Sequence, residues 1–547
     1  MLVQNFLEES AHRFPNKVAL IHKGERLTYQ EVDQKANKVA QWLRSQGIQR
    51  GDRVAIFLDS SAESVISLFG ILKADAIFLM LSPTLKTQKL SYILNNCQAK
   101  ALITHTNKLG VVSGVFGSVP NLQFVIFTGN KDKIPTSGCP NPIFWKEIDS
   151  LCSNNSSNPS NSINSQHVTC NSQPETRNST SASDLQPPTS NIDLDLATII
   201  YTSGSTGNPK GVMLTHLNMI SAATSITTYL ENVPEDIIID VLPLSFDYGL
   251  YQILMAFKFG GTVVLEQSFA FPYKIIKQMI KERVTGFPGV PTMFAILLQM
   301  EDLKKYDLSS LRYVTNTAAA LPIEHIKRIR DAFPQAKLYS MYGLTECKRV
   351  SYLPPDELDR RPGSVGKGMP NEEVWVVDEN GNRVGPGVIG ELVVRGSNVM
   401  RGYWGDPEIT DRVLKPGPLP GEKVLYTGDL FKMDEEGFLY FVGRKDDMIK
   451  TKGERVSPKE VENALYGLEG IVEVAVIPLP DDILGQAIKA YIVRRNGYSL
   501  TEKDVLRHCK KELEEFAIPK YIEFRDSLPK ISSGKIDKLT LKQEIGQ

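Results

Sequence analysis

The fold of this chain is decided by Tyr201-Thr202-Ser203-Gly204-Ser205-Thr206-Gly207-Asn208-Pro209-Lys210-Gly211, which contains three glycines, four serine or threonine hydroxyls and one lysine. The apolar run from Leu196 to Ile200 leads into it, which predicts a buried strand that ends in a hydroxyl-rich loop. Glycines let backbone N–H groups turn toward a ligand, hydroxyls add hydrogen-bond donors, and Lys210 adds a positive charge. We therefore predict that the loop holds a polyphosphate, and an ordinary Gly/Ser turn is the alternative.

The loop differs from the Walker A pattern, in which Gly is followed by four residues and then by Gly-Lys-Ser/Thr. After Gly204 the chain continues to Asn208-Pro209-Lys210-Gly211, so the template fails. The phosphate-binding chemistry is thus present without the spacing of a P-loop NTPase.

Length and composition predict a multidomain globular protein. The chain has 547 residues, which is too long for one core, and it is 41% hydrophobic and 23% charged. Its 62 basic and 63 acidic residues give a formal net charge of -1, so there is no whole-chain attraction to nucleic acid or to an anionic membrane. No run approaches eighteen consecutive apolar residues, the start lacks the basic region of a signal peptide, and the six cysteines show no metal spacing. We expect a cytoplasmic protein with reduced thiols and with neither a nucleic-acid nor a membrane partner.

Helix and strand patterns alternate along the first part of the chain. The segment from Tyr29 to Leu43 places four apolar residues on one helical face, namely Val32, Ala36, Val39 and Leu43. Apolar strands such as Val54 to Leu58 alternate with such helices, which favours a largely parallel sheet covered on both faces. The predicted fold class is α/β, with a large N-terminal domain of αβ layers that includes a β-rich subdomain after about residue 362. A small mobile C-terminal α+β domain is predicted after about Lys445.

Residues 153 to 190 interrupt this pattern. Asn, Ser, Thr, Pro and Gln dominate the segment, and only isolated apolar residues occur in it. Such a composition buries too little apolar surface to offset the entropy of ordering, so we predict a disordered surface insertion.

A second motif, Met341-Tyr342-Gly343-Leu344-Thr345-Glu346, follows the strand-like run Lys337 to Ser340. Thr345 and Glu346 are therefore expected in a loop at the carboxyl end of a strand, where open parallel sheets bind their ligands. A carboxylate in that place suits Mg²⁺, which takes one or two carboxylate ligands together with substrate phosphates. A solvated loop glutamate is the alternative.

Two further motifs are weak when each is considered alone. Tyr426-Thr-Gly-Asp429 precedes Tyr440-Phe-Val-Gly-Arg444-Lys-Asp446, and near the end stands Pro529-Lys-Ile-Ser-Ser-Gly534-Lys535-Ile-Asp. A buried Asp accepts hydrogen bonds from both hydroxyls of a ribose, and a lysine stabilises developing negative charge. Ordinary turns and a solvated tail lysine are the alternatives.

In this order, from residue 201 to residue 537, the motifs resemble those of the AMP-forming adenylating enzymes: acyl-CoA synthetases, luciferases and nonribosomal-peptide adenylation domains. The resemblance covers the chain apart from the Asn/Ser-rich insertion. It implies ATP and Mg²⁺ as cofactors and a reaction in which a carboxylate takes the α-phosphate of ATP and expels pyrophosphate. The acyl group then passes to a thiol.

The resemblance also implies roles for individual residues. Tyr342 is expected to stack on adenine, Thr345 to bind the substrate carboxylate and the α-phosphate, and Glu346 to bind Mg²⁺. The catalytic set is Lys535, Thr345 and Glu346. The expected ATP-binding residues are Thr202, Ser203, Gly204, Ser205, Thr206, Gly207, Lys210, Tyr342, Asp429 and Arg444.

The same resemblance implies two domains joined by a hinge. The N-terminal adenylating domain is expected over residues 1–443, the hinge over 444–446 with Asp446 as the hinge residue, and the mobile C-terminal domain over 447–547. Movement of the C-terminal domain would bring Lys535 to the site for the first step and remove it afterwards.

The stretch Leu242-Pro-Leu-Ser-Phe246-Asp247-Tyr248-Gly-Leu-Tyr251-Gln bears on the choice of acid. In amino-acid-activating members of the family, an Asp after Phe in this motif pairs with the α-amino group, whereas acyl-CoA synthetases usually carry His and an apolar residue. A carboxylate in an apolar pocket is costly unless a cation pairs with it, so Asp247 favours a substrate with an ammonium group. The expected substrate-binding residues are Phe246, Asp247, Tyr248 and Tyr251. An Asp247 that points to solvent or caps a helix is the alternative.

The segment from Tyr342 to Pro355, which includes Cys347-Lys348-Arg349, is similar to stand-alone ligases that load L-proline onto a peptidyl carrier protein. A group of uncharacterised acyl ligases has a similar sequence in this segment. The hypothesis is an amino acid ligase that forms an aminoacyl-AMP, best with proline, and transfers it to a separate phosphopantetheinylated carrier, because no carrier-like motif follows Gln547. The alternative is an AMP-forming acyl-CoA synthetase that acts on a small or fatty carboxylic acid, with CoA as acceptor. Relatives commonly have Gly in place of Asp75, and the sequence offers no account of that departure.

Overall fold

The computed structural model describes residues 1–135, 137–148, 191–202, 208–300, 302–317, 321–451, 454–481, 484–495, 497–531 and 534–544. The predicted insertion at 153–190 and the small residues 318–320 lie outside the described residues. The described helices are α1 Asn5–Arg13, α2 Tyr29–Ser45, α3 Ala62–Lys73, α4 Thr87–Asn96, α5 Leu109–Val112, α6 His216–Tyr229, α7 Asp247–Phe259, α8 Pro272–Lys281, α9 Pro291–Leu297, α10 Ile323–Ala332, α11 Pro407–Val413, α12 Pro458–Tyr466, α13 Glu502–Glu512 and α14 Lys538–Gln543.

The strands belong to four sheets. In chain order the described strands are β1 Val18–His22, β2 Glu25–Thr28, β3 Arg53–Phe57, β4 Ile77–Met80, β5 Ala101–His105, β6 Phe124–Thr128, β7 Pro142–Phe144, β8 Leu196–Thr202, β9 Lys210–Thr215, β10 Ile237–Asp240, β11 Thr262–Leu265, β12 Gly286–Gly289, β13 Tyr313–Asn316, β14 Lys337–Tyr342, β15 Ser351–Leu353, β16 Lys367–Gly368, β17 Glu372–Val377, β18 Gly390–Gly396, β19 Gly402–Tyr403, β20 Leu414–Pro416, β21 Lys423–Met433, β22 Leu439–Arg444, β23 Ile449–Thr451, β24 Glu454–Val456, β25 Ile471–Asp481, β26 Gly485–Arg494 and β27 Tyr521–Arg525.

Two large sheets form the N-terminal part of the molecule. One has the described order β16-β15-β14-β13-β12-β10-β11-β1-β2, and the other has β19-β9-β8-β4-β3-β5-β6-β7. Most of their central strand pairs are parallel, for example β13 with β14 and β3 with β5. Helices α2 and α3 pack together on these sheets, and Gly70 allows the close approach, because a Cβ there would lie 2.6 Å from that of Val39.

Helix α2 shows why the sequence pattern predicts structure well here. Thr28 accepts a hydrogen bond from the backbone N–H of Glu31, whose side chain accepts from the N–H of Thr28, so the helix begins with a capping box. The four apolar residues predicted to share a face are all buried: Val32, Ala36, Val39 and Leu43. The prediction for this helix is confirmed.

The structure supplies an account of Asp75. Its backbone φ is 62°, in the left-handed region that favours glycine, at the turn between α3 and β4. The carboxylate offsets part of that strain by pairing with Arg44 at 3.1 Å. Asp75 therefore keeps a glycine-type turn and adds an ion pair to it.

Beyond residue 368 the chain forms two smaller sheets. The first has the described order β17-β18-β21-β20 with β22 on β21, and the second has β24-β23-β26-β25 with β27 on β26. The second sheet and helices α12 and α13 enclose their own apolar core, which includes Val461, Val476 and Val505. Between β22 and β23 runs a single 3-10 turn, Lys445–Asp447, in which Asp446 is exposed. Its role as a hinge stays a prediction.

Contacts between the C-terminal region and the N-terminal region include one hydrogen bond and one ring contact at α9 and α10. The Thr292 hydroxyl of α9 donates a hydrogen bond to the Gly534 carbonyl at 2.8 Å. His325 of α10 packs edge-on against Tyr466 of α12, with 5.4 Å between ring centroids. These contacts hold the Lys535 segment over the carboxyl ends of the central strands.

Candidate active site

The hydroxyl-rich loop connects the two arms of a hairpin. Thr202 ends β8 and stands opposite Lys210, which begins β9, so the loop leaves and re-enters the sheet at one point. Ser203, Gly204, Ser205, Thr206 and Gly207 lie outside the described residues, and their predicted phosphate contacts stay a prediction. The Lys210 ammonium lies 5.6 Å from the centroid of the Tyr403 ring, which links the loop to the next part of the site.

Tyr403 connects Lys210 to the predicted metal ligand. Strand β19, which carries Tyr403, pairs with β9, and the Tyr403 hydroxyl donates a 2.7 Å hydrogen bond to Glu346 Oε1. Burial raises the pKa of the Tyr403 hydroxyl, and the Glu346 carboxylate acts in the same direction, so the phenol remains a donor. Thr345 lies beside Glu346 and is partly buried. The motif that contains Lys210 and the motif that contains Glu346 are far apart in sequence, and they thus meet at one edge of the sheets.

Asp429 is a buried carboxylate in which one oxygen accepts a hydrogen bond and the other does not. The Tyr342 hydroxyl donates a 2.6 Å hydrogen bond to Asp429 Oδ2, and Arg444 Nε lies 3.3 Å from Oδ1 in an ion pair. That ion pair is not aligned as a hydrogen bond, and within the described chain Oδ1 accepts none. Burial raises the pKa of Asp429, while Arg444 and Tyr342 favour its charged form. The carboxylate therefore has acceptor capacity left for a polar ligand.

Aromatic rings surround Tyr342. Its centroid lies 4.8 Å from that of Phe431 in an edge-on arrangement and 6.2 Å from that of Phe441 in a near-parallel one. The hydroxyl is fixed on Asp429, so the ring has a defined plane at the end of β14. A flat apolar ligand such as a purine would find a ready stacking partner here.

Lys535 reaches this site from the C-terminal region. Its ammonium lies 5.7 Å from the centroid of the Phe246 ring. Burial lowers the pKa of Lys535, and the nearby carboxylates Asp247, Asp429 and Glu346 oppose that shift. The structure thus brings together residues that stand far apart in sequence, namely Lys535, Phe246, Asp247, Glu346 and Asp429.

The residues predicted to bind the acid lie at the start of α7. Asp247 is the first residue of the helix and is only 7% exposed, so it does not point to solvent. Tyr248 and Tyr251 are each 1% exposed, and the Tyr248 hydroxyl bonds the Thr315 hydroxyl at 2.6 Å. Phe246 packs edge-on against Tyr248. Together they form a buried aromatic wall with one carboxylate in it.

Sequence reasoning missed the partner of that carboxylate. Lys348 Nζ lies 3.5 Å from Asp247 Oδ2 and donates a 2.8 Å hydrogen bond to the Asp247 backbone carbonyl. The motif that contains Lys348 was visible, but nothing in its pattern indicates that the lysine turns inward. Lys348 has a left-handed backbone φ of 66°. Gly343 allows the Lys348 backbone to come close, because a Cβ at Gly343 would lie 2.3 Å from the Lys348 carbonyl oxygen.

The residues around Glu346 fit a magnesium ion. In the described part of the chain, no group of three or more His, Cys, Asp or Glu side chains is arranged to hold a metal. Glu346 offers one carboxylate, whose Oε1 is already oriented by Tyr403. A single protein carboxylate completed by substrate phosphates is the usual coordination of Mg²⁺.

Comparison with known proteins decides the family. The model of the AMP-binding enzyme family matches residues 7–404, and that of the AMP-binding enzyme C-terminal domain matches residues 460–535. The chain belongs to the AMP-binding enzyme family. The chain is an AMP-forming acid–thiol ligase that uses ATP and Mg²⁺, as the resemblance predicted.

Relatives of this AMP-binding enzyme include two different kinds of protein. A long-chain-fatty-acid–CoA ligase of Bacillus subtilis is 33% identical, with 99% of this chain and 94% of the relative covered. Gramicidin S synthase 2 of Brevibacillus brevis is 29% identical over 99% of this chain, which spans 11% of that protein. The relatives therefore leave the acid and the final acceptor open.

Solved structures confirm the predicted fold class, a mixed α/β fold with a large N-terminal and a small C-terminal domain. An anthranilate CoA ligase in complex with anthranoyl-AMP matches with a TM-score of 0.85 at 27% identity, covering 100% of this chain and 97% of that one. ATP-bound MatB from Rhodopseudomonas palustris matches with a TM-score of 0.82 at 27% identity, covering 100% and 99%. Among the described helices of this AMP-binding enzyme, none is long and apolar enough to cross a membrane.

Proposed function

We propose that this enzyme activates an amino acid, with L-proline as the expected substrate, to an aminoacyl-AMP with release of pyrophosphate. The acyl group then passes to the phosphopantetheine thiol of a separate peptidyl carrier protein. One observation carries the proposal: Asp247 places a carboxylate, only 7% exposed, in the aromatic wall next to Lys535. A substrate ammonium would give that carboxylate a second, closer charge partner, whereas a carboxylic acid without an ammonium group gains nothing from it.

The shape of the wall supports a compact substrate. Tyr248 and Tyr251 are almost fully buried, and the hydroxyl of Tyr248 is fixed on Thr315. Aromatic faces on one side and a carboxylate at the end of the wall suit a small ring that carries a secondary ammonium group. Proline has that chemistry.

In the first step, an oxygen of the substrate carboxylate forms a bond to the α-phosphorus of ATP, and the bond from that phosphorus to the bridging oxygen of pyrophosphate breaks. The chain contributes position and charge stabilisation, and no covalent intermediate with the protein is needed. Asp429 would accept hydrogen bonds from the ribose, Tyr342 would stack on adenine, and Lys535 would stabilise the charge that develops on the α-phosphate. Mg²⁺, when bound by Glu346 and the phosphates, supplies further charge neutralisation.

In the second step the thiol attacks the carbonyl carbon of the adenylate and AMP leaves. We propose that the C-terminal region turns about the Lys445–Asp447 segment between the steps, which removes Lys535 from the site. The contacts that would break include the hydrogen bond from Thr292 to Gly534 and the packing of His325 on Tyr466.

A second candidate, an acyl-CoA synthetase, is favoured by a specific observation. Lys348 already provides Asp247 with a cation, so a substrate without an ammonium group would not leave the carboxylate unpaired. The long-chain-fatty-acid–CoA ligases among the relatives have an acyl acid and CoA in their names.

The test is ATP–pyrophosphate exchange measured across a panel of amino acids and of fatty and aryl acids. The proposal predicts exchange with one or a few amino acids, strongest with L-proline, and little with the acyl acids. Exchange with acyl acids but with no amino acid would reject it in favour of the second candidate. Loading of a holo carrier protein, compared with CoA as acceptor, then identifies the thiol.

A further inference from the structure

His325 is a titratable side chain that the proposed reaction does not use. It lies on α10 in the N-terminal region and is only 6% exposed. Its ring packs edge-on against Tyr466 of α12 in the C-terminal region, with 5.4 Å between the ring centroids. The imidazole is therefore buried at a contact between the two regions that are proposed to move relative to each other.

Cations lie near this imidazole on both sides of the contact. Arg328 of α10 and Lys459 of α12 both act on His325 and disfavour its protonated form. Arg328 in turn lies near Arg495, which follows β26 in the C-terminal region, and near Glu324 of α10. Helix α9, which also packs on α10, has no charged side chain. A charge on His325 would thus add to a repulsion between like charges on the two regions.

The hydrogen bonding of the ring also favours the neutral form. Within the described chain, His325 Nδ1 has no hydrogen-bond partner. Protonation would leave that nitrogen as a buried donor without an acceptor, which is costly where water is excluded. Burial and the two cations, Arg328 and Lys459, lower the pKa of His325 from 6.5 to about 4. If the C-terminal region moves away, water reaches the ring and the pKa returns toward its ordinary value.

We infer that His325 is a pH-sensitive latch, which holds the C-terminal region in the adenylation position while it is neutral and releases that region when it is protonated. The released state binds more protons than the docked state between pH 4 and 6.5, so acid favours release. The docked state is favoured above pH 6.5, and this preference is lost as pH falls from 6.5 toward 4. The inference rests on the domain movement in the proposed function and assigns a regulation to it.

The test is the ratio of docked to released molecules, measured by single-molecule energy transfer in ligand-free enzyme. One dye is attached at Asn380 in the N-terminal region and the other at Lys510 in the C-terminal region, two exposed positions that accept bio-orthogonal residues. Because the pKa of His325 is about 4 when docked and 6.5 when free, the ratio should fall about tenfold from pH 7.5 to pH 5.5. The same ratio at both pH values would overturn the inference.

Two variants make the test specific to His325. His325→Phe keeps an aromatic ring against Tyr466 but takes up no proton, so its ratio should be equal at the two pH values. His12→Phe makes the same substitution at an exposed histidine of α1 and should keep the tenfold change. Thermal unfolding checks that each variant folds, and His325→Gln replaces His325→Phe if that variant does not. A tenfold change that persists without His325 would also overturn the inference.

The outcomes separate the latch from the proposed function, because the ratio is measured without any acid. A pH-dependent ratio that is lost in His325→Phe supports the latch even where pyrophosphate exchange shows the substrates to be acyl acids. Exchange with L-proline together with a ratio that is independent of pH would overturn the latch and leave the proposed substrate standing.

Discussion

Two buried carboxylates, Asp429 and Asp247, both act electrostatically on Lys535 and are held in different ways. Asp429 receives a 2.6 Å hydrogen bond from the Tyr342 phenol and pairs with Arg444 across two bonded strands. Asp247 has Lys348 at 3.5 Å from its carboxylate, on a loop that reaches it by a left-handed residue. The first is fixed within a sheet, and the second is loosely paired at the start of a helix.

The difference matches what each carboxylate is proposed to bind. A ribose is the same in every catalytic cycle, so a rigid acceptor with one oxygen left open suits it. The acid substrate, by contrast, differs between related enzymes. The loosely held pair of Asp247 and Lys348 can be altered by one substitution, which suits a site that sets the choice of acid. In this account Asp429 determines that ATP binds, and Asp247 with Lys348 determines which acid is activated.

The largest effect is expected from Lys535→Ala, which removes a cation on which both carboxylates act. Adenylation should slow by about 10²–10³-fold, the loss typical of one preorganised electrostatic group. Thioester formation from a preformed adenylate should slow much less, because Lys535 is proposed to have left the site by then. Single-turnover rates of both half-reactions measure this.

The matched control is Lys530→Ala, which removes a lysine from the same tail, where it pairs with Glu473 at 2.6 Å. It should leave the adenylation rate close to wild type. Equal losses in both half-reactions for Lys535→Ala would contradict a model with two positions of the C-terminal domain.

A smaller effect that separates the two carboxylates is expected from Asp429→Asn. Hydrogen bonds to a charged group contribute about 1.5–3 kcal/mol each, so the KM for ATP should rise about 10–100-fold whichever acid is used. The KM for the acid should change little. Steady-state exchange rates at varied ATP and varied acid check this, and an effect confined to the acid would show that Asp429 does not face the nucleotide.

The smallest effect is expected from Tyr403→Phe, which removes the 2.7 Å hydrogen bond to Glu346. A net loss of about 1 kcal/mol corresponds to about a fivefold weaker apparent affinity for Mg²⁺. Exchange rates measured over a range of Mg²⁺ concentrations would report it. Tyr498→Phe removes a hydrogen bond of equal length to Glu469 on the surface and should have no effect, whereas equal behaviour of both variants would exclude a role for Tyr403 at the metal.

Local patterns predicted much of the fold. The apolar face of α2 and its Thr28–Glu31 cap are properties of consecutive residues, so they are visible without a structure. The order of the motifs was sufficient to predict that Glu346, Asp429 and Lys535 belong to one site, through resemblance to a family. Their proximity in the structure agrees with that prediction.

Contacts between distant segments were not predictable in the same way. Tyr403 carries no local signal, since only the pairing of β19 with β9 brings its hydroxyl to Glu346. Nothing in the sequence indicates that Lys348 is buried, because its burial depends on a left-handed φ and on the position of α7. A buried Asp247 does require a cation, and the chain provides one in Lys348, which the sequence did not show.

The most direct test of the account compares L-proline with cyclopentanecarboxylic acid, which replaces the ring ammonium by a methylene group, in ATP–pyrophosphate exchange by wild type and Asp247→Ala. The account predicts that wild type prefers proline by about 10–100-fold in kcat/KM, the value of one charge-assisted contact, and that Asp247→Ala loses most of this preference while its KM for ATP stays unchanged. The same preference in both enzymes, or no preference for proline in wild type, would contradict the claim that Asp247 chooses the acid.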